Sequence, residues 1–245
     1  ERKARGMEDK LKRHVRLCRE AIVTREEDQV LAEGILGKQH VHHMRLGVDK
    51  KIFGTHRHDR TGIEHDYGIP SGRIVVLFVG RVDVGKNIYT LIGAMENLIK
   101  EGLPLHLVVA GIGPASDDVK NRLAGHASTL GFVAPNDLAR LYASVDVLAL
   151  SSEVEIRSMA GVEAMASGCP VLVSQKSGVA VLFDHTAAMV EVESGVENWT
   201  QALRAFSNNP AQQNIMREAA TDYAAHHLAN WETVLTEDLF AVWEK

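Results

Sequence analysis

The sequence predicts an α/β fold built on a doubly wound parallel sheet, with helices added at both ends. Three observations carry that expectation. Apolar runs of strand length recur from Arg73 onward, at 74–79, 105–110, 128–133, 145–150, 170–174 and 188–192. Helix-length segments separate them at about 87–101, 116–124, 135–144 and 158–167. The runs are continuous in Val, Leu and Ile, which is the pattern of strands covered on both faces. With 245 residues, 45% hydrophobic and 24% charged, the chain can bury a sizeable core. That composition excludes a disordered tail, a collagen and a disulfide-stapled miniprotein. A net charge of −5 carries no global nucleic-acid signature.

Residues 1–20 carry eight Lys/Arg and four acids, net +4, which leaves −9 for the remainder. Such a start suits either a surface facing anionic lipid or phosphorylated substrate, or a solvated helix face with Leu11, Val15, Leu17 and Ile22 as a crude apolar stripe. The second is the simpler expectation. A short apolar stretch over 21–23 and an acidic helix over 26–36 follow, then a strand over 41–48. Gly, His, Asp and Arg crowd 54–72, which reads as a loop or linker. After Gly195 the pattern is helical to the end, at 199–208, 211–227 and 231–245. No apolar run approaches a membrane span. Cys18 and Cys169 form neither a CxxC pair nor a framework, as in a reducing compartment. The chain begins at Glu1 with neither initiator Met nor signal segment, so it reads as a fragment or processed piece.

In such a sheet ligands bind beyond the carboxyl ends of the strands. The first strand is followed by Gly80-Arg81-Val82-Asp83-Val84-Gly85-Lys86-Asn87. Glycine permits close backbone approach, and Arg and Lys offer a fork and a point charge to phosphate oxygens. The spacing is neither a Walker loop nor GxGxxG, and an exposed basic turn would carry the same residues. Gly111-Ile112-Gly113-Pro114 follows the second strand and leaves room for a ligand. Gly131-Phe132-Val133 at the third could offer backbone groups to a planar base. After the fourth strand, Glu155 falls in a loop and Glu163 in the next helix, which Ser158 could cap. The positive end of that helix suits an anionic diphosphate. Two carboxylates beside a cationic pocket suit a sugar nucleotide.

Taken in order, these segments resemble the C-terminal, donor-binding half of a GT-B glycosyltransferase of the retaining family 4 (group 1). The resemblance runs from about Val41 to Trp231. It is carried by Leu46-Gly47-Val48-Asp49 with Phe53, then Gly80, Arg81 and Lys86, then Gly111 to Pro114. Gly131-Phe132-Val133, Leu138, Leu141-Tyr142 and Asp146-Val147 come next, and finally Glu155 and Glu163 with Ala164-Met165-Ala166-Ser167-Gly168-Cys169-Pro170-Val171.

The resemblance implies a Rossmann-like donor domain over 41–230. Residues 1–40 would be the remnant of an N-terminal acceptor domain, and 231–245 a helix crossing back toward it. It implies retaining transfer from a nucleoside-diphosphate sugar with three catalytic residues, Arg81 and Lys86 on the diphosphate and Glu155 on the donor sugar. Glu163 would hold the ribose. Gly80, Gly111, Gly113, Phe132, Val133 and the amides of Ser158, Met159 and Ala160 would complete the donor site. No metal and no cofactor is expected, because the fold uses cations and a helix end where others use Mg²⁺. Where the family has Phe-Gly, this chain has Arg157-Ser158, which adds a cation and a Cβ near the donor. The 245-residue piece alone would be inactive. Its acceptor, a sugar, lipid or small molecule, is not named by the sequence, and no nucleic-acid partner is expected. A cytoplasmic location is implied, with peripheral contact to the inner membrane face through the N-terminal domain. A nucleotide-sugar-binding module without catalysis and another GT-B enzyme, such as a nucleotide-sugar epimerase, are the alternatives. His40, His42, His43, His56 and His58 are expected to be structural or solvated rather than metal ligands.

Overall fold

A computed structural model describes residues 2–155, 158–182 and 186–243. Its contacts divide it into two compact units, Glu1–Asp49 with Ala229–Lys245, and Lys50–Leu228. Residues 41–49, expected within the donor domain, thus group with the first unit, as does the C-terminal segment.

The first unit opens with α1 (Arg2–Val15), β1 (Ala21–Val23), α2 (Glu26–Leu36), β2 (Val41–His43) and β3 (Gly47–Val48). β1 and β2 pair in parallel, Ala21 opposite Val41. The strand expected over 41–48 is broken because the Arg45 amide donates to Asp238 Oδ2 at 2.9 Å, while its guanidinium reaches Glu237 and Asp238. The apolar stripe expected along the basic start is not buried: Leu11 and Leu17 are exposed.

The second unit contains α3 (Arg60–Asp66), β4 (Ile74–Val79), α4 (Ile88–Lys100), β5 (Leu105–Ala110), α5 (Ser116–Arg122), β6 (Ala127–Gly131) and α6 (Pro135–Ser144). It continues through β7 (Val147–Leu150), α7 (Met159–Ala166), β8 (Val171–Ser174), α8 (Gly178–Leu182), β9 (Met189–Val192), α9 (Val196–Ser207) and α10 (Pro210–His226). The chain then rejoins the first unit with β10 (Ala229–Asn230), which pairs in parallel with β3. The single helix expected over 231–245 is subdivided into α11 (Trp231–Val234), a π-helical stretch (Leu235–Phe240) and α12 (Ala241–Trp243). Thr236 Oγ1 donates back to the Glu232 carbonyl at 2.8 Å, a bond that loosens a helix ladder.

The six long-range strands form one parallel sheet in the order β6-β5-β4-β7-β8-β9. Val75, Val76, Leu77 and Phe78 of β4 are buried, as are all six residues of β5. One face packs on α4 and α9 through Leu91, Met95, Trp199 and Leu203. Order reverses at β4, whose neighbours are β5 and β7. Such a switch point opens a crevice at the carboxyl ends of the strands.

Two expectations change here. The linker over 54–72 contains α3, capped by Asp59, whose Oδ1 accepts from the Gly62 amide at 3.0 Å. Arg60 secures it by donating to Asp146 and to the Ser144 and Arg73 carbonyls. The polar composition thus belongs to a docked helix. β6 stops at Gly131, whose φ of 70° turns the chain, so Phe132 and Val133 lie beyond the strand.

Candidate donor site

The crevice between β4 and β7 holds a small pocket lined by Lys86, Ser151, Ser152, Glu155, Ser158 and Ser177 above the two strand ends. Its floor is apolar, from Phe78, Val79, Ala149 and Leu150. Every polar group comes from a loop or helix start that follows a strand.

The turn after β4 is held by side-chain hydrogen bonds. Asp83 Oδ1 accepts from the Lys86 amide at 3.0 Å, closing a 3₁₀ turn over Val84–Lys86. Asn87 follows in the left-handed region, φ 55°, which Asn tolerates better than most residues. Its side-chain Nδ2 donates to the Ser151 carbonyl at 3.1 Å, and Ser151 Oγ donates to the Lys86 carbonyl at 3.0 Å. The loop after β7 thereby fixes the Lys86 backbone. The Lys86 stem passes beside Gly80, where a Cβ would lie 3.9 Å from Lys86 Cε. Its ammonium forms an ion pair with Glu155 Oε2, both side chains being largely buried. Arg81 goes elsewhere: it is 74% exposed and pairs with Asp83 at 3.2 Å.

Gly111 and Gly113 are explained by neighbouring backbone. A Cβ at Gly111 would lie 1.8 Å from the Gly80 carbonyl oxygen, and one at Gly113 would lie 2.2 Å from that of Val82. Both distances are far inside van der Waals contact. The loop after β5 is laced to the turn after β4 by Val82 N to Ile112 O and Ala115 N to Val82 O. These glycines build the turn's support. Phe132, at the tip beyond β6, is 79% exposed.

On the other side of the crevice, Ser158 caps α7, its Oγ accepting from the Gly161 amide at 3.4 Å. The first-turn amides of Met159 and Ala160 have no intrahelical acceptor, which is general at a helix start. Glu155 is anchored by its own carbonyl, which accepts from Gly178 at the start of α8, 2.8 Å away. Glu163 lies further along α7 and does not line the pocket. Its Oε2 accepts from the Tyr142 hydroxyl at 3.3 Å. Burial pushes the Glu163 carboxyl up to about 7, against a smaller lowering by that hydrogen bond. Arg157 lies outside the described residues.

The structure therefore brings together Gly80, Lys86, Glu155 and Ser158, with Met159 and Ala160 at the helix start. It leaves Arg81 and Phe132 exposed and ties Glu163 to the buried Tyr142 phenol. Sequence reasoning gave no site role to Asp83, Asn87, Ser151, Ser152 or Tyr142. A serine pair directly after a buried strand was the available signal for two of them. Cys169 is buried and its thiol is pushed up to about 12, so it is a packing residue. Glu20, which spacing did not connect to the histidines, bridges His40 and His42 at 3.1 and 2.7 Å. Those hydrogen bonds hold its carboxyl below the usual range. His58 Nδ1 lies 2.8 Å from the Ala143 carbonyl. Among the described residues no group of His, Cys, Asp and Glu is arranged to hold a metal ion, and no helix is long and apolar enough to cross a membrane.

The chain is similar to known proteins. A D-inositol 3-phosphate glycosyltransferase of Rhodococcus erythropolis is 31% identical over 71% of this chain and 42% of its own length. One of Catenulispora acidiphila is 29% identical over 84% of this chain and 52% of its own length. The chain spans about half, or less, of the curated relatives it matches. A Rickettsia africae glycosyltransferase structure superposes with a TM-score of 0.77 at 15% identity, covering 92% of this chain and 63% of that one. Anabaena HepE, solved with UDP and glucose, superposes at 0.74 and 16% identity, covering 95% and 66%. At these identities the likeness establishes the fold. The family model described as "Glycosyl transferases group 1" matches residues 59–223. On that match, which takes in the whole crevice from β4 to α7, the chain belongs to the group 1 glycosyl transferases.

Proposed function

We propose that residues 50–228 bind a nucleoside-diphosphate sugar, and that the protein to which they belong transfers the sugar to an acceptor with retention and without a metal. The observation that carries this reading is the Lys86–Glu155 pair at the switch-point crevice, beside the capped start of α7. A lone cation there would suit any anion. A cation with a carboxylate next to it suits a ligand carrying a phosphate and hydroxyls together.

Glu155 is the resident partner of Lys86, so an incoming diphosphate competes with it. Once phosphate oxygens take the ammonium, the Glu155 carboxylate is released to accept from sugar hydroxyls. The first-turn amides of α7 and the positive end of its dipole meet the remaining phosphate charge. Arg81, exposed on the rim and paired weakly with Asp83, can fold onto the outer phosphate. Glu163, when ionised, accepts from the ribose diol. These groups favour the departing diphosphate over the bound ground state, which is how fixed charges accelerate such a step. In HepE the bound ligands are UDP and glucose, which fits the same ligand class.

Calorimetric titration with nucleoside, nucleoside monophosphate and nucleoside diphosphate, run for uridine, adenosine and guanosine, tests the reading. Affinity should climb with each phosphate and persist in EDTA. A flat response across the series, or binding that disappears in EDTA and returns with Mg²⁺, would remove it.

A further inference from the structure

A fully buried tyrosine hydroxyl is costly unless it has a partner. Tyr142 of α6 is 0% exposed, and its ring packs 6.1 Å from that of Phe53, tilted by 57°. Phenylalanine would supply the same ring. The hydroxyl has one hydrogen-bond partner among the described residues, Glu163 Oε2 on the adjacent α7. Burial keeps the phenol protonated by raising it well above its ordinary range, so it acts as a donor. The nearby Cys169 thiol is likewise held neutral by burial. From α10, Arg217 spends its guanidinium on the Val145 carbonyl, and β7 and β8 contribute only Val, Leu, Ala and Ser.

A glutamate on a helix has three rotatable bonds, and binding a ligand with it costs the entropy of fixing them. Here one carboxylate oxygen is already tied to a rigid, core-packed donor. We propose that Tyr142 is a positioning residue that presets the Glu163 carboxylate, spending one oxygen inside the protein and leaving the other to read the ribose diol. This rests on the donor reading above, in which Glu163 engages the ribose. Tyr142 touches no ligand itself; it acts through Glu163.

The test compares wild type, Y142F, E163Q and the double variant against the tightest binder among UDP, ADP and GDP. The same nucleotide lacking both ribose hydroxyls, and inorganic pyrophosphate, serve as probes without the diol. Y142F should weaken the intact diphosphate about three- to tenfold. It should leave both diol-free probes within twofold, and add nothing in the E163Q background. Equal losses on all three probes would make Tyr142 a structural residue and overturn the proposal. Loss in E163Q without loss in Y142F would overturn it while leaving the donor reading intact. No loss in either variant would overturn both. Should Y142F fold poorly, 3-fluorotyrosine at 142, a stronger donor on the same ring, should tighten the intact diphosphate and not the diol-free one; no change would overturn the proposal.

Discussion

Glu155 and Glu163 are eight residues apart, flank the start of one helix and have opposite surroundings. Glu155 sits in a polar pocket mouth and spends its carboxylate on a cation, Lys86. Glu163 is half-buried on α7, its one hydrogen-bond donor among the described residues is the neutral Tyr142 phenol, and burial carries its carboxyl up to about 7. The difference teaches that spacing fixes which residues share a helix start, while the partner and the local water decide what each can do. Under the proposed function the first carboxylate exchanges with a ligand anion. The second is held in place at a cost in stability.

The largest effect expected is on that cost. Glu163 binds its proton more tightly in the folded than in the unfolded chain, so stability falls as pH rises from about 4.5 through about 7. On that shift, a penalty of about 3 kcal/mol is expected above pH 7. Glu163→Gln should therefore raise the urea midpoint at pH 8 and leave it nearly unchanged at pH 4.5. Equal midpoints at pH 8 would mean that Glu163 is as well solvated as Glu155 in practice, and the contrast between them would fail. Nucleoside-diphosphate affinity should meanwhile decline in the wild type as pH drops below about 7, because only the ionised carboxyl accepts from both ribose hydroxyls.

His106 supplies a control of similar size and opposite sign. It is buried in β5 with Nε2 2.8 Å from Ser128 Oγ and Nδ1 without a partner among the described residues, and burial lowers it to about 4. Stability present above pH 6.5 should be lost as pH falls toward 4, by up to about 3 kcal/mol. A denaturation profile of Glu163→Gln isolates this limb; a flat acid limb would show that the His106 site admits water.

Lys86→Met comes next. It keeps the stem length and removes the charge, so it should cost a diphosphate roughly 1.5–3 kcal/mol, about ten- to a hundredfold, and a nucleoside nothing. Equal loss for the nucleoside would point to packing rather than charge. The smallest effect is the most diagnostic. Glu155→Gln frees Lys86 from its resident partner and should tighten free diphosphate by about 0.5–1 kcal/mol, roughly two- to fivefold, the scale of a partly exposed ion pair. Weaker binding of free diphosphate would show that Glu155 supports Lys86 rather than competing with it.

Much of the fold was legible because continuous apolar strands and capped helices are local signals. β4 and β5 begin and end where the apolar runs do, and Ser158 caps α7 as its position suggested. The α3 helix was not legible, since Asp59 and Arg60 read as loop residues until Asp146 and the Arg73 carbonyl, distant in sequence, are brought to them. The glycines of the post-β5 loop were legible as a motif, but their cause was not: the excluded volume belongs to Gly80 and Val82 on the neighbouring turn.

The sequence by itself determined the class of the sheet and the residue types that follow its strands, because hydrophobic period and motif order are properties of the chain. Pairing was decided only in three dimensions. Lys86 meets Glu155 because β4 and β7 are neighbours at the switch point, although 69 residues separate the two side chains. Arg81, one residue beyond Gly80, is turned outward to Asp83 instead. Glu163 meets Tyr142 because α6 and α7 lie side by side, and its titration follows from how little water reaches it. Charge and burial are long-range quantities, set by which elements pack together, and no reading along the chain contains them.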